Sequence, residues 1–214
     1  CNIRDDASVS AAMDGADAVV NCVGVLSELG KNSFDAVQAE GPERIARLAA
    51  EHGVGQVVHI SAIGADAESD SAYQRSKAAG EAGVLTQFPD AVILRPSIIF
   101  GTEDSFFNRF AGMTRLSPIL PITGGGTKFQ PVWVDDVAQA ATKAAMGDVE
   151  LGVYELGGPN VATFRELMDK MLLECRRTRV VFNMPTWMAK IMAFGFDMLE
   201  AVTFGLVPNR MITR

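Results

Sequence analysis

The chain has 214 residues, a mass of 22.9 kDa, a formal net charge of -7 and a pI near 4.9. That length holds one good core, or one domain with a small appendage. The acidic balance argues against nucleic acid as a partner, and 48% hydrophobic with 21% charged residues describes a globular protein.

The segment Cys1-Asn2-Ile3-Arg4-Asp5-Asp6 carries no apolar h-region and no initiator Met, so it resembles the interior of a protein. At the other end the chain stops at Arg214 without a finishing element, and a fragment cut at both ends is expected. Residues 16–24 (ADAVVNCVG) read as a buried strand ending in a turn. Residues 33–52 follow with Val37, Ile45, Leu48 and Ala49 at helical spacing, and Gly53 stops the helix. Gln56 to Ser61 is the next strand, residues 71–88 the next helix, and Ala91 to Arg95 the next strand. Asp135 is expected to cap a helix reaching Met146, and residues 153–156 form a further short strand. Strands separated by helices of this length mean βαβ units and a parallel sheet. After about Val161 the character changes: Thr163 with Glu166 three residues on reads as a capping box. Residues 183–207 are rich in Met and Phe, but Lys190, Asp197 and Glu200 interrupt them too often for a transmembrane helix. Two uses suit that stretch: a helix packed on its own domain, or a docking surface for a partner or membrane interface.

Cys1, Cys22 and Cys175 are odd in number and widely spaced with no CxxC, as expected of free thiols in a reducing, cytoplasmic compartment. His52 and His59 have no Cys, Asp or Glu around them at metal-ligand spacing, so no metal site is expected.

Chemistry is suggested first by Tyr73-Gln74-Arg75-Ser76-Lys77. Residues four apart share a helix face, so a phenol and an ammonium can converge on one point. A Tyr hydroxyl ionises near pH ~10, and a fixed ammonium beside it favours the phenolate. A lone Y-x-x-x-K is ordinarily just an exposed helix face, and its surroundings decide. Parallel α/β sheets bind ligands outside the carboxyl ends of their strands. There the chain offers Asn21-Cys22-Val23-Gly24, Ser61-Ala62-Ile63-Gly64 and Arg95-Pro96-Ser97-Ile98-Ile99-Phe100-Gly101, each mixing small residues with polar ones.

The order N-x-x-G, strand-terminal Ser, Y-x-x-x-K, then L-R-P-S-x-x-x-G resembles the short-chain dehydrogenase/reductase superfamily. Val134-Asp135-Asp136-Val137-Ala138, after Gly124-Gly125-Gly126, is similar to the V-D-D-V-A of its extended branch, which includes nucleotide-sugar epimerases and dehydratases. The wording HISAIGAD, AYQRSKAAGE, ILRPSIIFG and FQPVWVDDVA most resembles the group formed by the NADPH-binding accessory subunit of respiratory complex I and its bacterial relatives. The resemblance implies an α/β fold: a Rossmann-like doubly wound parallel sheet lacking its N-terminal strands, with a small, mostly helical C-terminal appendage. Residues 1–160 would be a partial NAD(P)-binding domain with a substrate-side insertion near 101–133, and 161–214 the appendage.

It implies NADP or NAD as cofactor, NADPH being favoured. Tyr73 would be the acid/base, and Lys77 would hold the nicotinamide ribose and bias the Tyr73 pKa. Asn21, Cys22, Val23 and Gly24 would line the cofactor channel. Pro96, Ser97 and Ile98 would abut the nicotinamide, and Asn2 and Ile3 the adenine. A membrane-associated respiratory complex would be the partner, with the protein peripheral at the inner membrane face.

Two departures weigh against catalysis. The phosphate-cradling G-x-x-G-x-x-G is absent from the 214 residues, and Gly124 to Gly126 precede a strand rather than open a helix. The Ser or Thr that holds the substrate oxygen in active relatives aligns with Ala62. Ser61, beside it, faces the opposite way on a strand and is the substitute candidate. The Asn of the family's proton relay aligns with Gln38. The pattern suits a bound-cofactor structural or regulatory protein. The alternatives are an active epimerase, dehydratase or reductase using Tyr73, and a non-catalytic interaction module.

Overall fold

The computed structural model describes residues 1–185; most of the Met-rich stretch 183–207 lies outside them. In chain order the elements are α1 (Asp6–Met13), β1 (Ala18–Asn21), a π-helical turn (Asp35–Ala39), α2 (Glu40–Glu51), β2 (Gln56–Ile60), α3 (Ala72–Gln87), β3 (Val92–Pro96) and β4 (Ile99–Phe100). There follow α4 (Phe107–Leu116), β5 (Ile119–Ile122), β6 (Lys128–Phe129), β7 (Val132–Trp133), α5 (Val134–Ala145), β8 (Gly152–Leu156), β9 (Ala162–Thr163), α6 (Phe164–Glu174) and β10 (Val180–Asn183).

The expected parallel sheet is present, in the order β1-β2-β3-β8 with every pair parallel. Its strands are short apolar runs because both faces are covered. Val57 and Ile93 face one core with Val9, Ile45, Leu48 and Val84 from α1, α2 and α3. Val58, Val92 and Leu94 face the other, against Ala144 of α5. Each fully buried Val, Leu or Ile contributes about 1.5–3 kcal/mol relative to leaving it exposed. The alternation of the two faces therefore fixes the register, since a one-residue slip would exchange the two cores.

The chain forms two compact units. One comprises Cys1–Ile99 with Pro131–Pro159; the other comprises Phe100–Gln130 with the described residues from 160 to 185. The second unit closes on Leu120, Ile122, Leu167, Met168, Met171, Leu172 and Val181. Phe106, Phe110, Phe129 and Phe164 stack around that core edge to face or tilted, with ring centroids 5.3 to 6.5 Å apart. Its α6 opens on the expected capping box: the Thr163 hydroxyl accepts from the Glu166 N–H at 3.2 Å, and Glu166 accepts from the Thr163 N–H at 2.7 Å.

Two local expectations change. Asp135 is not the cap of α5; Trp133 is, with extended backbone, and Asp135 sits in the first turn, accepting the Trp133 indole N–H at 3.0 Å. Its charge still lies over the positive end of the helix dipole. The single helix expected over 33–52 is a π-turn followed by α2.

Candidate functional site

Because β1, β2 and β3 run parallel in register, their carboxyl ends lie side by side, and the site is built along that edge. The ladder continues past the strands. Ser61 N–H donates to Leu94 O at 2.7 Å, Ile63 N–H to Pro96 O at 3.1 Å and Ser97 N–H to Leu156 O at 2.9 Å. Ile98 O accepts from Val132 N–H at 2.9 Å. Asn21, Ser61 and Pro96 are buried, while Cys22, Val23 and Gly24 are exposed, and Ser97 and Ile98 lie half-buried.

Helix α3 sets the other wall. Ser71 precedes it in extended conformation, and the helix presents Tyr73, Lys77 and Glu81 at intervals of four. Lys77 is only 4% exposed, and its ammonium donates to the Ile60 carbonyl at the end of β2, at 3.2 Å. Above it stands Gly24. A Cβ there would lie 3.5 Å from Lys77 Nζ and 3.4 Å from Gln38 Oε1. The bare glycine thus leaves the ammonium approachable across the turn. Burial lowers the Lys77 pKa, and the carboxylate of Glu81 pulls it back up.

Tyr73 departs from expectation in one respect. Its ring packs edge-on against Phe34, centroids 5.9 Å apart, and burial raises its pKa; the Lys77 ammonium does not lower it. The Ser61 hydroxyl is buried, with no hydrogen-bond partner among the described residues. Alternation along β2 puts it on the same face as Val57 and His59.

Gln38, which the sequence aligned with the relay Asn, is buried at the heart of the site. The π-turn carries it inward, a common use of such a turn. Its Oε1 accepts from Val25 N–H at 3.4 Å and its Nε2 donates to Ser76 Oγ at 3.0 Å. The Ser76 hydroxyl in turn donates to the Tyr73 carbonyl at 2.8 Å. Ser76 was not singled out from sequence, and its position one residue before Lys77 was the only signal available.

Asn2 and Ile3 lie elsewhere. The exposed Asn2 accepts from Arg4 N–H at 3.2 Å, whereas the Ile3 side chain is buried in the core against Gly41. Any contact from Ile3 to a ligand thus falls to its backbone.

The family model for the RmlD substrate binding domain matches residues 1–194. Among relatives, the Arabidopsis thaliana mitochondrial NADH dehydrogenase [ubiquinone] 1 alpha subcomplex subunit 9 is 39% identical over 95% of this chain and 52% of its own length. The Neurospora crassa mitochondrial NADH-ubiquinone oxidoreductase 40 kDa subunit is 32% identical over 90% of this chain and 51% of its own. The chain thus spans about half the length of these relatives. Among solved structures, dTDP-4-dehydrorhamnose reductase from Bacillus anthracis, crystallised with NADP, superposes with a TM-score of 0.72. It is 17% identical, with 87% of this chain and 73% of that one covered, a likeness of fold. With the parallel sheet, the Tyr73–Lys77 face and a family match over residues 1–194, the chain belongs to the RmlD substrate binding domain family of the short-chain dehydrogenase/reductase superfamily.

Proposed function

We propose that this chain carries the nicotinamide-ribose half of an NAD(P) site, NADPH being the preferred dinucleotide, in a protein that holds the cofactor structurally or as a regulatory ligand. The observation that carries the reading is the Lys77 ammonium held on the Ile60 carbonyl, with Lys77 and Gln38 both facing the side-chain-free Gly24, at the carboxyl edge of a parallel sheet. A buried cation with one N–H on Ile60 and a side-chain-free approach fits a ribose diol. Lys77 would donate to the ribose hydroxyls, Asn21 to Gly24 would line the channel, and Pro96, Ser97 and Ile98 would close the nicotinamide end. The backbone of Asn2 and Ile3 would lie on the adenine side. The unit built from Cys1–Ile99 and Pro131–Pro159 would be the NAD(P)-binding domain.

A bound nicotinamide supplies hydride chemistry. The residues of this chain support holding it more than using it: Ala62 stands at the hydroxyl position and the Ser61 hydroxyl is buried in the protein. The relatives named as mitochondrial NADH dehydrogenase subunits support a respiratory complex as partner, and a peripheral place at the inner face of the membrane is the part of the proposal that goes beyond those names. No helix among the described residues is long and apolar enough to cross it.

The test is titration of the full-length protein with NADPH and NADH by calorimetry, beside an assay for NADPH oxidation against a panel of carbonyl compounds. Lys77→Met is expected to weaken NADPH binding by about tenfold or more, the loss of a charge-assisted hydrogen bond. Tyr73→Phe is expected to bind as the wild type does. Steady turnover abolished by Tyr73→Phe would instead establish the active reductase or epimerase reading.

A further inference from the structure

His59 is the fourth of the five residues of β2, 0% exposed, directly opposite Asn21 in the β1–β2 register. The Asn21 amide is oriented at its other end, where Oδ1 accepts from Val23 N–H at 3.1 Å. Its Nδ2 therefore faces His59 Nδ1, 3.1 Å away, and an amide NH₂ can only donate. His59 Nδ1 must accept, so the ring is neutral with its proton on Nε2. Burial, then the Lys77 ammonium, push its pKa down to about 3, which agrees with a neutral ring.

A side chain kept here only to fill the core would be better apolar. Among the described residues Nε2 of His59 has no hydrogen-bond partner, nor does the Ser61 hydroxyl two residues on, and a buried polar group left unpaired is destabilising. What the imidazole gains for the protein is one acceptor, at Nδ1, aimed at Asn21. Asn21 passes that constraint to Val23, and the turn it holds sets Gly24 across the Lys77 ammonium. The series runs from strand interior to site edge through two hydrogen bonds.

We propose that His59 is a positioning residue of the dinucleotide site: through Asn21 it fixes the turn from Asn21 to Gly24 over Lys77. This rests on the dinucleotide reading given above. Replacing the ring by phenyl keeps the volume and removes the acceptor. Asparagine keeps an acceptor close to the Nδ1 position while losing volume. The two variants therefore separate hydrogen bonding from packing.

The experiment uses the full-length protein and two readouts. One is NADPH affinity by calorimetry; the other is hydrogen exchange at the Val23 amide without dinucleotide. His59→Phe is expected to weaken NADPH by about tenfold and to speed Val23 exchange by a similar factor, as loss of one buried hydrogen bond predicts. His59→Asn is expected to restore both to within about threefold of wild type. Wild-type affinity and wild-type Val23 protection in His59→Phe would overturn the proposal, as would equal losses in both variants. Should His59→Phe not fold, Asn21→Ala breaks the same link from its other end, and wild-type affinity there overturns the proposal equally. A wild type that binds neither dinucleotide defeats the dinucleotide reading and the positioning role with it. The exchange rates then still show whether His59 orders the turn.

Discussion

Burial and the nearby Lys77 ammonium keep the His59 imidazole neutral inside the fold, with its titration pushed down to about 3. In the unfolded chain the same ring takes up a proton below about pH 6.5. Between those values the unfolded state binds a proton that the folded state refuses, so stability falls as the pH drops from about 6.5 toward 3. The slope is about 1.4 kcal/mol per pH unit, or about 3 kcal/mol lost by pH ~4. Urea unfolding at about pH 7, 5.5 and 4 checks this, and His59→Asn should flatten the slope across that interval. A wild-type slope in the variant would assign the loss to carboxylates instead. The sequence showed Tyr73, Lys77 and Asn21 as a set because each stands at a position where strand or helix spacing has a direct reading. It did not show the Asn21–His59 pair, since which residue stands opposite which depends on strand register. Nor did it show that Tyr73, against Phe34, is governed by burial rather than by Lys77.

Helix α3 contains two interior glycines, each costing about 1 kcal/mol of helix propensity against alanine. Packing explains both. A Cβ on Gly80 would lie 2.0 Å from the Gln38 carbonyl oxygen, and one on Gly83 would lie 2.8 Å from Glu43 Cβ. Gly80→Ala is therefore expected to destabilise by about 1–3 kcal/mol, because overpacking against backbone outweighs propensity. A Cβ on Gly112 in α4 would meet nothing within 4 Å, so Gly112→Ala is expected to stabilise by up to about 1 kcal/mol. Thermal melts of the two alanine variants should move in opposite directions. Helix α3 is also tied to β3 by Glu81, which accepts from Arg95 Nε at 2.9 Å and from its Nη2 at 2.6 Å. Glu81 is buried whereas Arg95 is partly exposed, so removing the arginine strands a carboxylate. Arg95→Met is expected to cost about 3 kcal/mol and more than Glu81→Gln, measured by urea unfolding. Strand and helix existence was legible from periodicity. The π-turn was not, because Val37, Ile45 and Leu48 fit an unbroken helix equally well.

Across the whole molecule, each compact unit draws on two separate stretches of sequence. The parallel sheet requires β8, which pairs with β3 over Val92 to Pro96, and one of its faces is covered by α5. A chain ending at Gln130 loses both and is expected to show no cooperative unfolding transition by circular dichroism. A sharp, two-state melt from such a truncation would contradict the assignment of 131–159 to the first unit. The sequence pointed to a change of character after Val161, and the family resemblance to an insertion near 101–133. It did not reveal that Phe106 and Phe110 share a core with Met168 and Leu172, because that contact joins segments about sixty residues apart.

The contact between Gly80 and the Gln38 carbonyl has a mechanical consequence. Helix α3 is gripped at three heights along its length: by Lys77 on the Ile60 carbonyl, by Gly80 on Gln38, and by Glu81 on Arg95. A helix so held has no freedom to screw along its axis. A slip of a single residue would turn every side chain by about 100° and carry it about 1.5 Å along the axis. Tyr73 and Lys77 would then swing off the sheet edge together. The helix behaves as a keyed shaft, and the face that carries Tyr73 and Lys77 is held in place by a glycine one turn beyond Lys77.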